Sequence, residues 1–459
     1  MKKIDLTKGS ILKGLLLFSL PVFFIYFANS LYNAVDIFIL SMAGADEQIS
    51  AVASAFTPIS FCMCLLTGAG VAGTCLIGQY VGGKSEQEKL KACKAVIMFN
   101  MCFSIGLAVI VAAASHSLIP MLNVDKSLYG PAVRYLLIQC CILPMNGIIF
   151  SVHAICKGHG KSVLPFIYSA SGVFFNILFD YIFIYLLGWL SDGAAFASVL
   201  SYIVAATIIL SYVFIFKFKC KNPLKGIKFD GDMFKYLGKQ VIPLSLQESL
   251  VIISFITVIS VINLRGIGAS NVVAISDRIT SLSFAPVMAF GNAVSAAVSQ
   301  NLGSGQIKRT KNMVFTAIGL TAAFALVYSF PFYYFATQLS LLYTSDQEIA
   351  RQSMERCFIL AFDLIINIVV SPFAGLASGS GNSRWSLAIF GVGTVILRIP
   401  FTVAMGLLNY PIWVVSAAYP LSSLIGLGLA LYFYFSKKWQ NLKALPVYQK
   451  SDIEKDTIF

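Results

Sequence analysis

An all-α integral membrane protein follows from three features of this chain. Hydrophobic residues make up 58% of it and charged residues only 12%, about half the charge carried by a typical soluble domain. The mean hydropathy is +0.81. Apolar stretches of about twenty residues, the length that spans hydrocarbon, recur along the whole chain, and Lys and Arg gather in alternate gaps between them. At 459 residues the chain also exceeds what one soluble core usually supports, whereas a bundle of spanning helices has no such ceiling.

Taken in order, the apolar runs predict twelve spans, at about 15–40, 52–80, 94–115, 131–155, 163–187, 193–216, 241–263, 272–300, 313–335, 355–378, 385–408 and 412–435. The first run is too long for the apolar core of a signal peptide and reads as a retained helix. Lys2, Lys3, Lys8 and Lys13 precede it. Basic residues return after the second span (Lys84, Lys89, Lys91, Lys94), the fourth (Lys157, Lys161), the sixth (Lys217 to Lys239), the eighth (Lys308, Arg309, Lys311), the tenth (Arg384) and the twelfth (Lys437, Lys438). The intervening loops are poor in basic residues and carry Asp46, Glu47, Asp125, Asp192, Asp346 and Glu348. The positive-inside rule then predicts cytoplasmic termini. It also accounts for the net charge of +13 as a topology signal, so no nucleic-acid partner is expected. The ten cysteines form no C-x-x-C pair and read as reduced, structural thiols.

The two halves repeat. Gly70, Gln79 and Gly82 around the second span match Gly291, Gln300 and Gly303 around the eighth at one constant offset, and Pro21 matches Pro243 at nearly the same one. Six crossings return a chain to its starting side, so the repeats are parallel, a recurring transporter plan with the site between them near the midplane. The expected units are a first lobe at 1–216, a linker at 217–240, a second lobe at 241–436 and a tail at 437–459. Three short motifs carry no chemistry here. Gly68 to Gly73 fits G-x-G-x-x-G but lies inside an apolar helix with no preceding strand. Gly78 to Gly82 and Gly375 to Gly379 fit the close-packing pattern of membrane helices. Gly160-Lys161-Ser162 lacks the glycine five positions earlier that a P-loop needs, so transport would draw on an ion gradient rather than on nucleotide hydrolysis.

Ionisable residues at bilayer depth usually mark a pathway or a site. Asn29, Asn33 and Asp36 form a polar stripe on the first helix, and Asn176 and Asp180 share one face of the fifth. Ser198 in the sixth adds a hydroxyl. Two carboxylates with amide and hydroxyl oxygens suit a hard cation such as Na+ at Asp36, Asn176 and Asp180; they equally suit proton carriage, since neighbouring carboxylates raise one another's pKa. A hydrated Asp36 near the outer surface is the plain alternative. Glu248 and Asp363 repeat the theme in the second half, with Asn367 one turn beyond Asp363 and Arg356, nearer an edge, two turns before it as a candidate neutralising partner. Asp277 and Arg278, being adjacent, point to different faces and read as structural or interfacial. His153 reads either as a packing histidine or as a proton relay. Arg398 has no evident partner.

The run Leu20-Pro21 followed by Asn29-Ser30-Leu31-Tyr32-Asn33-Ala34-Val35-Asp36 closely resembles the first helix of the multidrug and toxic compound extrusion (MATE) family of prokaryotes, within the superfamily that also holds oligosaccharidyl-lipid and polysaccharide flippases. The resemblance covers the whole chain. It implies a helix able to bend at Pro21, and a functional Asp36 working with Asn176 and Asp180 in proton or sodium coupling. It sets Ser198 where relatives carry a threonine ligand, and Glu248 and Asp363 where one branch carries its own carboxylates. Which lobe couples the ion stays open. His153 stands near a position where relatives carry an amide, a departure bearing on substrate contacts. The implied architecture is a V of two six-helix lobes related by a pseudo-two-fold axis in the bacterial plasma membrane, with a monomer as the family expectation.

The function this implies is antiport. A small organic cation or amphiphile would rest against side chains such as Asn29, Tyr32, Asn33, His153, Phe175 and Met288, and would leave in exchange for H+ or Na+ by alternating access. No cofactor, catalytic residue or ATPase subunit is expected, and membrane lipids are the surrounding partner. The alternative is a flippase for a lipid-linked precursor, which calls for a more strongly cationic cavity. A membrane prenyl transferase would need aspartate clusters that this chain lacks, and a scaffold or sensor would tolerate neutral residues at Asp36 and Asp180.

Overall fold

Lipid offers the backbone no hydrogen bonds, so a chain this apolar must satisfy its amides internally. The computed structural model describes residues 4–42, 46–121, 129–217 and 230–440, together with their side chains except at 30–38, 40–54 and 212–217. Among the described residues there are helices and no strands. In chain order they are α1 (Ile11–Met42), α2 (Asp46–Gly82), α3 (Glu86–Met121), α4 (Tyr129–Cys140), α5 (Ile142–Gly158), α6 (Val163–Asp180), α7 (Leu190–Lys217), α8 (Gly231–Asn263), α9 (Ile267–Gly303), α10 (Ile307–Tyr334), α11 (Ala336–Leu341), α12 (Gln347–Gly379), α13 (Ser383–Gly393), α14 (Ile399–Leu407), α15 (Ile412–Ser416) and α16 (Ala418–Phe435). Twelve stretches within them are long and apolar enough to cross a membrane, as expected. The fourth is α4 with α5, the eleventh α13 with α14 and the twelfth α15 with α16.

Most helices run past the predicted edges. Helix α8 starts at Gly231, ten residues before the apolar run, because Asp230 caps it by accepting a hydrogen bond from the Met233 amide. Helix α3 starts at Glu86 with Glu86 and Glu88 in its first turn, where negative charge complements the helix dipole. Hydropathy marks only the segment that meets hydrocarbon; capping and charge extend the helix into the interface.

The repeat seen in the sequence is reproduced in the packing, contact by contact. Within the first six spans a Cβ on Gly70 would meet Phe150, and within the second six a Cβ on Gly291 would meet Ser371. Gly158 lies against Ile77 and the Thr74 carbonyl, and Gly379 lies against Val298 and the Ser295 carbonyl. Each residue of the second set stands 221 positions after its mate in the first.

The two halves also exchange their first half-helices. Leu15, Phe18, Val22 and Phe23 of α1 pack into one cluster with Ala289, Val294, Ala317 and Phe373 of the second half. Met233, Leu237, Val241 and Leu244 of α8 pack with Ala69, Leu76, Val96 and Ala154 of the first. Burying such side chains across the divide ties the halves together by dispersion contacts, each small and collectively large.

Where α2 meets α9 the fit is tightest. A Cβ on Gly82 would overlap the Gln300 carbonyl oxygen, one on Gly303 would overlap that of Gln79, and one on Gly78 would overlap the Ser299 hydroxyl. Glycine at these points lets two backbones approach as no other residue would. Beside this contact two side-chain bonds cross between the halves reciprocally: Gln79 Nε2 donates to the Gly379 carbonyl of α12 at 3.1 Å, and Gln300 Nε2 to the Gly158 carbonyl of α5 at 2.8 Å. This clasp lies at the end of the bundle that carries the N-terminal segment. There Ile4 N donates to Gly160 O, and Asn301 Nδ2 donates to Leu6 O at 3.1 Å.

Candidate functional site

Above the clasp a cavity of about 460 Å³ opens between α1, α2, α5, α6 and α7, with Asn292 and Ser295 of α9 closing its far wall. Its size suits a drug-sized ligand. Its wall is mixed in the way such sites are. Phe56, Phe150, Tyr168 and Tyr202 offer ring faces, and Asn146, Thr67, Thr74 and Ser201 offer polar atoms. Tyr26 of α1 bridges to the other half by accepting a hydrogen bond from Asn292 Nδ2 at 2.7 Å.

Of the residues expected to meet substrate, Asn29 and His153 line this cavity, whereas Phe175 and Met288 are not among its lining. Phe175 stacks instead with Phe179 in a run that continues to Phe183, and Met288 is 43% exposed. The side chains of Tyr32, Asn33 and Asp36 lie outside the described residues; their backbone belongs to α1. His153 sits beside Tyr168, ring centroids 4.6 Å apart, and its Nε2 has no hydrogen-bond partner among the described residues.

The acidic and amide residues of the fifth span are fully buried. Asn176 and Asp180 are 0% exposed and Ser198 2%, on helices α6 and α7 that pack on each other and on α1. The Asn176 amide finds no hydrogen-bond partner among the described residues. An amide left so in a dry interior costs free energy, which marks the position as one kept for something other than packing. Directly after Asp180 the helix widens into a π-helical turn, Tyr181–Leu186, and the repeat-related eleventh span does the same at Thr394–Arg398. Such turns concentrate at functional sites.

In the second half Asp363 is 5% exposed. It accepts hydrogen bonds from Asn367 Nδ2 at 3.0 Å and from Ser423 Oγ at 2.5 Å. Arg356 does not neutralise it. The two share a helix face, but seven residues separate them by about 10 Å along the axis. Arg356 is 0% exposed and pairs instead with Asp277 at 2.7 Å. It also donates to Ser276 Oγ and Ser416 Oγ. Arg278, on another face as expected, lies over the Tyr343 ring. Arg398, unassigned from sequence, donates to Ser422 Oγ at 2.8 Å and covers the Tyr419 ring at 4.6 Å. Glu248 is half-buried, accepts from Gln247 and lies within electrostatic reach of the cavity residues Tyr26 and Cys64. Among the described residues no hydrogen bond joins it to Asp363.

Beyond Asn29 and His153 the sequence reading named none of the cavity's lining as substrate contacts, and it read the one lysine there for something else. Lys157 reads as a loop charge, yet it belongs to the last turn of α5 and lines the cavity. The signal was its spacing: it falls four residues after His153 and so on the same helix face.

The MatE family profile matches residues 21–182 and 243–404, one copy in each half of the repeat. Among curated relatives, the probable multidrug resistance protein YoeA of Bacillus subtilis is 23% identical over 450 residues, covering 95% of each chain. The multidrug resistance protein MdtK of Yersinia enterocolitica is 23% identical over 433 residues, covering 91% of this chain and 92% of that one. A solved structure described as the outward-facing conformation of a multidrug resistance MATE family transporter superposes with a TM-score of 0.88 at 19% identity, over 96% of this chain and 99% of the other. With both halves matched and the twelve-span fold in common, the chain belongs to the MatE family of multidrug and toxic compound extrusion transporters and is not an enzyme.

Proposed function

We propose that this transporter is a secondary antiporter that exports small amphiphilic organic molecules, organic cations among them, in exchange for H+ or Na+ by alternating access. The observation that carries the reading is the full burial of Asn176 and Asp180 beside α1, in the same half that forms most of the cavity. A buried carboxylate needs a cation or a proton to be tolerated in lipid, so its occupancy can bias the packing of the helices around it. With the clasp end on the cytoplasmic side, as the basic loops imply, the cavity would face outward. Binding of the ion at Asp36 and Asp180 then favours release. It does so only through different affinity for the two states.

Efflux of ethidium from cells tests this at matched membrane levels. Asp180→Asn and Asp36→Asn should each lower the efflux rate by about ten-fold or more, the effect of roughly 1.4 kcal/mol of lost coupling. Loss only on replacing Glu248 or Asp363 would move the coupling site to the second half. No efflux by the intact protein under either gradient would favour the flippase reading instead.

A further inference from the structure

Among the described residues the cavity's lining contains no carboxylate, and Lys157 is the one lysine or arginine in it. Lys157 is half-buried and forms no ion pair or hydrogen bond among the described residues. One turn before it on the same face stands His153, whose Nε2 likewise has no partner there. Polar residues from both halves line the same cavity, Thr74 of α2, Tyr168 of α6 and Ser295 of α9, with Tyr168 beside His153. Among the described residues Glu248 on the opposing α8 acts on the cavity residues Tyr26 and Cys64.

A half-buried cation without a counter-charge is costly, and proteins seldom leave one unpaired unless a ligand supplies the charge. From this we infer that Lys157 and His153 form an anion subsite at the floor of the cavity, which receives the acidic group of an amphiphile while its apolar body lies against Phe150, Tyr168 and Tyr202. The inference rests on the cavity being the substrate site and sharpens the substrate class: a molecule bearing a carboxylate or sulfonate, alone or as a zwitterion, binds better than one bearing only positive charge. A free amphiphile is the occupant, because about 460 Å³ accepts a drug-sized body and leaves no room for a lipid-linked oligosaccharide. The subsite also borders the clasp, since the residue after Lys157 is Gly158, whose carbonyl receives Gln300 Nε2.

Two xanthene dyes of similar shape and opposite charge separate the possibilities: anionic fluorescein and cationic rhodamine 6G. Binding is read by fluorescence anisotropy on the purified full chain in nanodiscs of zwitterionic lipid. Fluorescein should bind the intact protein more tightly than rhodamine 6G. Lys157→Gln should weaken fluorescein by about ten-fold, equivalent to about 1.4 kcal/mol, while Lys157→Arg keeps most of the affinity. The same Lys157→Gln change should tighten rhodamine 6G, a gain that a merely misfolded variant would not produce. Unchanged fluorescein affinity in Lys157→Gln overturns the inference while leaving the cavity as a substrate site. Loss of fluorescein binding in phosphatidylglycerol nanodiscs would hand the subsite to a lipid headgroup and overturn its assignment to a free amphiphile. Absence of binding by both dyes overturns the inference together with the reading of the cavity on which it rests.

Discussion

Replacing Asp277 with alanine should destabilise the protein by about 3–5 kcal/mol, the usual cost of stranding one member of a buried ion pair. The two partners are unequal: Arg356 is 0% exposed and Asp277 30%. Removing the aspartate leaves a guanidinium in a dry interior with only Ser276, Ser416 and the Val273 carbonyl to hold it. Removing the arginine leaves a carboxylate that is not enclosed, being 30% exposed. Arg356→Met, which fills the space and carries no charge, should therefore cost distinctly less than Asp277→Ala. Apparent melting temperatures of the detergent-solubilised variants, read as loss of the monodisperse peak on heating, check the order. Equal losses, or a larger loss for Arg356→Met, would mean that packing and not charge governs this site.

The second large effect is expected at the clasp. In Gly303→Val the added Cβ must overlap the Gln79 carbonyl oxygen, a backbone atom that cannot rotate away. Overpacking of this kind costs about 1–3 kcal/mol, occasionally more, and here the strain is confined to one of two conformations. The closed arrangement of the clasp end should lose population by roughly 5- to 150-fold, and efflux should fall with it while the protein still reaches the membrane. Spin labels on Gln87 and Lys308, both exposed beside the clasp, would report a longer distance on a cysteine-depleted background. An unchanged distance distribution with normal efflux would contradict the role given to this contact. Gln79→Ala and Gln300→Ala remove a hydrogen bond each and should shift the same distance by less.

Much of this architecture was legible because lipid makes the code simple. Twelve spans followed from hydropathy, and the repeat followed from Gly70, Gln79 and Gly82 with their mates. What the sequence withheld was depth and partnership. Lys157 looked like a loop charge because the apolar run ends before it, while α5 continues to Gly158. Arg356 looked like the neighbour of Asp363 because helix periodicity relates residues on one helix. Its partner Asp277 lies on a different helix, α9, and no spacing rule links them. The exchange of half-helices was hidden for the same reason: α1 and α8 are equally apolar whichever half they pack into. Asn176 and Asp180 were visible at once, since two polar residues four apart in an apolar helix announce a shared face.

In the proposed function, carboxylates in the first half couple an ion gradient to export. Purified protein in liposomes that carry an imposed proton or sodium gradient tests it most directly, with ethidium added and the gradient followed by an internal dye. The intact protein should dissipate one of the two gradients faster when ethidium is present, and Asp180→Asn should abolish that acceleration. Ethidium movement that proceeds equally with no gradient, or an acceleration that survives in Asp180→Asn, would contradict it.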